Sequence, residues 1–351
     1  MTNALLGNGV FGTLFSDTRI ASAFSARAFV DHMISFEAAW TRALMANGVV
    51  SQNDGDAALQ ALRQFDGTSF RPDSDRDGLP VPSLVAQLRL GLDDGPAKAI
   101  HTGATSQDVI DTAMVLCGLA VLSDMDTRLQ DLSRALSDLN ARHGPLPLVA
   151  RTRMQAALPA TVSLRVGAWQ RLIQDNRDGL SVLQGRIAKV QVGGAIGLRD
   201  QPEGVAQAVA EHAAMTLGLR LDPVWHSDRT PFVDTGHWFT LAAGALGKIA
   251  QDIALMAQQG LDEITLDGGG GSSAMPHKQN PVLAEVTIAI ARQVAGLQGT
   301  LAQAMIHEQE RSGSAWALEW LTLPQMAELT GAAMCHVDQL IRSIRRIGTP
   351  G

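Results

Sequence analysis

The sequence predicts an all-α fold organised around a long helical bundle, and three observations lead there. Leu122, Met125, Leu129, Leu132, Leu136 and Leu139 recur at alternating steps of three and four residues, the seam of a coiled-coil-like packing. That seam lies in Ser106 to Arg142, a segment with no proline and a single glycine. Alternating strand patterns are scarce, and Leu146 to Arg153 and Lys189 to Gly194 are the only short extended pieces expected.

Taken in order, Ser25 to Gly48 reads as an amphipathic helix, with Phe29, Met33, Phe36, Trp40, Ala43 and Leu44 at helical spacing. Residues 51 to 98 are punctuated by Gly, Pro and Asp and predict short helices and turns. The segment from Ser106, if continuous, makes a helix about 55 Å long at 1.5 Å per residue. Further long helices are expected over Pro159 to Val192, Thr235 to Leu261, Val282 to Met305, and from beyond Pro324 to near Ile347. Helices of this length cannot bury a full stripe within a small monomer, so the bundle is expected to continue across subunits. We divide the chain into a mostly helical N-terminal domain, 1–104, and a long-helix domain, 105–351.

Composition sets outer bounds. With 46% apolar and 18% charged residues the chain is an ordinary globular one, and a net charge of −7 with mixed signs offers no basic stripe for nucleic acid. No 18-residue apolar run free of charge suggests a membrane span, and the N-terminus lacks the basic and apolar regions of a signal peptide. Cys117 and Cys335 have no cysteine or paired histidine nearby in sequence, which favours two buried free thiols over a disulfide. The nine histidines form no HxxxH pair, so no metal site is expected.

Four segments carry chemistry. The first is Gly271 to Pro281, GSSAMPHKQNP, at the end of a glycine run too rich to hold a helix or strand. Pro276 and Pro281 press Met275 and Asn280 towards extended geometry. Such a loop can close over an anion and set a hydroxyl beside a carbon. The second is His101-Thr102-Gly103-Ala104-Thr105-Ser106-Gln107-Asp108, followed by Asp111-Thr112. Thr105 or Ser106 suits an N-cap, with Asp108 complementing the helix dipole; the same N-terminus also suits an anion. The third is Arg151-Thr152-Arg153-Met154-Gln155-Ala156-Ala157-Leu158-Pro159. On an extended piece Arg151 and Arg153 point to one side, as a carboxylate clamp or a surface pair. The fourth is Glu310-Arg311, then Trp316-Ala317-Leu318-Glu319-Trp320 and Leu323-Pro324, where tryptophans four residues apart also suit core packing. A Walker loop is excluded, because Lys278 follows His277 and precedes Gln279.

The form GSSxMPxKxNP resembles the signature loop of the fumarase/aspartase superfamily. The pattern HxGxTSxDxxDT resembles its first signature, and Arg151, Thr152, Ala157 and Pro159 align with its second, close to GRTxxxHAxP. The E-R…W-x-x-E-W…L-P stretch, Trp225-His226-Ser227-Asp228-Arg229 and Gly193-Gly194-Ala195-Ile196-Gly197 are similar to elements of the branch that lactonises 3-carboxy-cis,cis-muconate. The resemblance runs from about residue 20 to 325. It implies a long central bundle forming a homotetramer in the cytoplasm, with sites shared between chains, no cofactor, and a small polyanionic tricarboxylate as substrate. Ser272 is implied as the catalytic group that exchanges a proton with carbon. His101, Thr105, Ser106, Thr152, Arg153, Gln155, Lys278, Asn280 and Arg311 are implied as substrate-binding.

Two departures matter. The histidine usual in the second signature falls on Ala156. It is the acid/base of the amine-releasing lyases, and an amine must be protonated to leave, whereas a carboxylate adds or departs without a proton. The departure therefore favours lactonisation, with sulfomuconate cycloisomerisation or an adenylosuccinate-lyase-like elimination as the alternatives. Superfamily members also usually continue into a small C-terminal helical domain, which is expected here to be absent or reduced to a remnant.

Overall fold

The computed structural model describes residues 9–268, 270–271 and 279–350. Seven principal helices build it: α1 (Ala26–Ala46), α2 (Ser106–His143), α3 (Val162–Ile187), α4 (Ala206–Leu217), α5 (Thr230–Met256), α6 (Val282–Gln303) and α7 (Ser314–Arg342). Short helices, among them Thr18–Ala23, Gln52–Gln64 and Val81–Leu88, decorate the N-terminal part. The all-α prediction holds, and the helix starts follow capping chemistry. Ser25 Oγ accepts from the Ala28 amide ahead of α1, and the Asp108 carboxylate accepts from the Thr105 amide ahead of α2.

The core is a single continuous set of apolar side chains. Helix α5 packs against α3, α6 and α7, while α2 packs against α1, α3 and α7. All six seam residues of α2, Leu122 to Leu139, are buried. Helix α5 is apolar and long enough to cross a membrane by composition alone, yet it occupies the middle of the bundle. Its start is set by Pro231, whose missing N–H costs nothing in the first turn.

Several expectations are corrected. Residues Pro147–Thr152 (β1) and Gln155–Thr161 (β2) form an antiparallel hairpin, so α3 begins at Val162 and not at Pro159. The hairpin turns at Arg153 and Met154, with φ of 49° and 68°. A two-residue turn with both φ positive matches strand twist but normally selects Asn and Gly, so RTRMQ carries no turn signal. Helix α7 starts at Ser314, well before Pro324, and holds that proline inside it. The chain beyond α7 is not helical to Ile347: Ile344–Ile347 (β4) pairs antiparallel with Ile264–Leu266 (β3). Gly270 and Gly271 pair with Asn280 and Gln279, so part of the glycine run does hold extended structure. Cys117 is buried, but Cys335 is exposed; both are free.

Alternation of direction gives the bundle two chemically distinct ends. Helices α2, α5 and α7 begin at one end; α3 and α6 begin at the other. The hairpin, β3–β4 and the paired residues 270–271 and 279–280 gather at the far end, tied by Arg151 to Glu263 at 3.0 Å and by the Thr349 amide to the Pro147 carbonyl at 2.9 Å. The start of α2 meets the 193–197 and 225–229 segments at the near end.

Truncating the middle of the seam tests this core. Leu136, which is fully buried, should cost about 2–5 kcal/mol as Leu136→Ala, read as a lowered urea midpoint with unchanged slope. A shift within error of wild type would show that α2 does not pack as described.

Candidate active site

The near end is organised by carboxylates one helical turn apart. Asp108 is fully buried and accepts from the amides of Thr105, Gly193 and Gly194 at 2.8–3.0 Å, with His226 Nε2 at 2.9 Å. It thereby draws the 101–105 turn, the 193–197 turn and the 225–229 segment onto the first turn of α2. Gly193 must be glycine here, because a Cβ would lie 2.6 Å from both His226 and Val224.

Asp111 lies deeper. Its oxygens receive Arg229 at 2.8 and 3.0 Å, Trp316 Nε1 at 2.9 Å and Gln107 Nε2 at 3.1 Å. Arg229 is buried and also donates to both oxygens of Glu319 at 2.7 Å. One guanidinium thus faces two carboxylates away from water, with its plane over the Trp225 and Phe232 rings. Burial pushes Glu319 up to about 7 against the opposing pull of Arg229. Trp316 and Trp320 meet edge to face at 4.8 Å between centroids. This cluster is scaffolding, built from pieces read separately in the sequence: Gln107 and Asp111, Trp225–Arg229 and Trp316–Trp320.

Around that scaffold the structure gathers four of the predicted site residues. Thr105 caps α2, and Ser106 follows it as the first helical residue; both are half-buried. The amides of Ser106 and Gln107 have no partner among the described residues, which leaves a helix N-terminus open to an anion. Arg311 reaches the same place. Its Nε donates to Gln107 Oε1 at 2.9 Å and a terminal nitrogen donates to the Ala195 carbonyl at 3.1 Å. Among the described residues no carboxylate pairs with it. His101 turns into this region with φ 64°, its Nδ1 2.6 Å from Glu37. Burial pulls the imidazole pKa down, but the charge and hydrogen bond of Glu37, with Asp108 behind, outweigh it and leave the group above its ordinary value.

The other predicted residues lie elsewhere. Thr152, Arg153 and Gln155 sit at the exposed hairpin tip, and Asn280 is half-buried just before α6. The two arginines of the second signature do not form one clamp. Arg151 is committed to Glu263, and the positive φ at Arg153 breaks the alternation that would align them. Ser272 and Lys278 lie outside the described residues. Helix α2 alone, at about 1.5 Å per residue over its 38 residues, puts about 55 Å between the near-end group and the hairpin.

A pocket of about 630 Å³ holds none of these groups; Phe24, Phe29, Ile110, Met114, Trp320 and Pro324 make it mainly apolar. Among the described residues no group of three His, Cys, Asp or Glu side chains is placed to hold a metal. Glu37 was not named from the sequence, and Gln107 and Glu319 stood in the quoted segments with no individual role given to them. Each is buried and polar within an apolar helical face, and that was the available signal.

A family described as a lyase matches residues 16–296. The 3-carboxy-cis,cis-muconate cycloisomerase of Pseudomonas aeruginosa is 35% identical over 350 residues, covering 96% of this chain and 75% of the relative. Nitrosuccinate lyase of Streptomyces davaonensis is 32% identical over 362 residues, covering 97% and 75%. The crystal structure of 3-carboxy-cis,cis-muconate lactonizing enzyme from Pseudomonas putida superposes with a TM-score of 0.88 at 32% identity, covering 96% of this chain and 77% of that one.

The raised Glu319 carboxyl yields a pH-dependent prediction. A carboxyl whose folded pKa is raised favours the protonated folded state, so its contribution is complete below the unfolded value of 4.5 and is lost as pH climbs through about 7. Chemical unfolding across that window should show wild type losing stability relative to Glu319→Gln, by at most about 3 kcal/mol. Parallel stability curves for the two proteins would contradict the shift.

Proposed function

The chain belongs to the lyase family, and from that premise we propose that it is a cycloisomerase closing 3-carboxy-cis,cis-muconate to a carboxymuconolactone. The observation that carries this reading is Ala156 standing where the amine-releasing members of the superfamily keep their acid/base histidine. It lies on β2 opposite Arg151, with no imidazole in its place. A reaction whose nucleophile is the substrate's own carboxylate needs no such group.

In the proposed scheme one substrate carboxylate attacks the far alkene carbon, forming a C–O bond. The alkene electrons move to the carbon beside a second carboxylate, which becomes aci-carboxylate-like. Ser272 delivers a proton to that carbon, and solvent replaces it, so the net change is uptake of one proton by the lactone. Proton and carboxylate movements complete the balance, and no redox or metal group enters. Holding the attacking oxygen against the alkene removes several kcal/mol of entropic barrier. Arg153, Lys278, Arg311 and His101 would balance the trianion, while Thr105, Ser106, Thr152, Gln155 and Asn280 would orient it.

Such a site needs more than one chain. The groups at the near end and at the hairpin are separated by the length of α2, far beyond the reach of one tricarboxylate. We infer a homo-oligomer, a tetramer by resemblance, in which the near end of one subunit meets the hairpin and loop of others.

Three measurements test the proposal through the absorbance change of 3-carboxymuconate. Ser272→Ala should lower kcat by at least about 10²-fold with the assembly unchanged by light scattering. Ala156→His should give no increase in lactonisation; a large gain would mean that the departure has been misread. Arg153→Met and Arg311→Met, each nearly inactive alone, should recover roughly a quarter of the wild-type rate when refolded together, since sites then draw intact groups from different chains. No recovery on mixing would place the whole site within one subunit.

A further inference from the structure

We infer that Glu37 is a positioning residue, gripping His101 through Nδ1 so that the opposite edge of the ring, Nε2–H, is presented as a cationic donor to the anion site at the start of α2. The inference deepens the proposed function and rests on it for the identity of the anion.

Glu37 stands on the inner face of α1, whose other buried members there include Met33, Phe36, Trp40 and Leu44. It is fully buried. A carboxylate in such a place is costly unless it is paired. Its one partner among the described residues is His101, at 2.6 Å through Oε1; Oε2 has none. Holding the backbone of this turn does not require Glu37. Trp40 Nε1 donates to the Thr102 carbonyl at 2.8 Å, and Thr41 Oγ1 donates to the Ala99 carbonyl at 2.9 Å, so α1 already fixes the turn on both sides of His101. What Glu37 adds is control of one side chain.

That control has a direction. The left-handed backbone at His101, φ 64°, is uncommon outside glycine and turns the ring back over α1. With Nδ1 committed, Nε2 lies on the far edge, without a partner among the described residues, and 17% of the side chain remains accessible. The neighbouring charges favour the imidazolium. Glu37 faces it from α1 and Asp108 from α2, while Arg89, just after Val81–Leu88, opposes them. Asp108 is already satisfied by three amides and His226, and Arg89 donates to the Ile100 carbonyl at 2.6 Å. Glu37 is thus the one carboxylate here whose charge is not committed to another group. An imidazolium beside the open amides of Ser106 and Gln107 and the unpaired Arg311 completes an anion-binding corner, and a neutral imidazole would not.

The test uses the full-length protein and the near-isosteric variant Glu37→Gln, with Glu37→Asp as the conservative control and thermal melting as the check on folding. Histidine labelled at ring carbon, with His101→Gln identifying the resonance, reports the titration of His101 directly. The expected result is at least a tenfold loss of proton affinity at His101 in Glu37→Gln, partial recovery in Glu37→Asp, and a basic limb of kcat/KM that moves to lower pH by the same factor. Melting temperatures should stay within a few degrees. An unshifted His101 titration in a folded Glu37→Gln protein would overturn the inference, as would a kcat/KM limb that fails to follow the ring. Wild type that does not turn over 3-carboxymuconate, with the ring titration still shifted, would remove the proposed substrate and leave the Glu37–His101 coupling standing.

Discussion

The near end of this protein depends on placing two carboxylates, Asp108 and Asp111, on successive positions of the inward face of α2. Between them they bind the 101–105 turn, the 193–197 turn, the 225–229 segment and, through Arg229 and Trp316, the start of α7. Stability alone does not explain the arrangement. Burying Arg229 with Asp111 and Glu319 carries a desolvation cost that an apolar triad would avoid. What the charges supply is selection among packings. Arg229 satisfies both carboxylates in one geometry only, and that geometry fixes where Gln107, and therefore Arg311, must lie. A sliding apolar interface would not hold a guanidinium to within the tolerance that substrate binding requires.

The length of α2 has the opposite effect, since it separates what its N-terminus organises from what its C-terminus supports. Helices of this length leave apolar side chains such as Leu164, Val182 and Leu241 exposed, and the hairpin tip adds Met154 and Leu158. In the oligomer proposed above, association of subunits would both cover the exposed apolar surface along the bundle and bring together the candidate groups at its two ends.

The long helices were legible because each repeats its apolar positions for many turns, and a pattern of that length tolerates local exceptions such as Pro324 within α7; the twelve-residue α4 was not read. Legibility failed where a few residues decide. The β1–β2 hairpin turns on Arg153 and Met154 with no glycine or asparagine to announce it. Strand β4 is four residues long and exists because β3, far away in sequence, pairs with it. The candidate residues His101, Thr105 and Ser106, where motif and helix start coincide, and Arg311, named by resemblance, come together at one end of the bundle. Asp108 was read as a dipole partner, while its main role is to collect amides from the 193–194 turn. Glu37 and Glu319 were invisible as site-shaping groups, because a polar residue on an apolar face acquires meaning only from what is packed opposite it.

Electrostatics sets a condition on how a polyanion could be held. The chain carries a net charge of −7, so a tricarboxylate approaching it meets repulsion on average, and attraction must be local. Many arginines of the described structure are already spent on internal carboxylates: Arg128 on Asp17 and Asp124, Arg151 on Glu263, Arg229 on Asp111 and Glu319. Arg311 and Arg153 have no such partner among the described residues, and they stand at opposite ends of one subunit. An isolated chain therefore presents single positive charges on an acidic body, too weak a field to hold a trianion in water. In the oligomer proposed above, joining the ends of neighbouring subunits would bring those charges together and exclude the water that screens them.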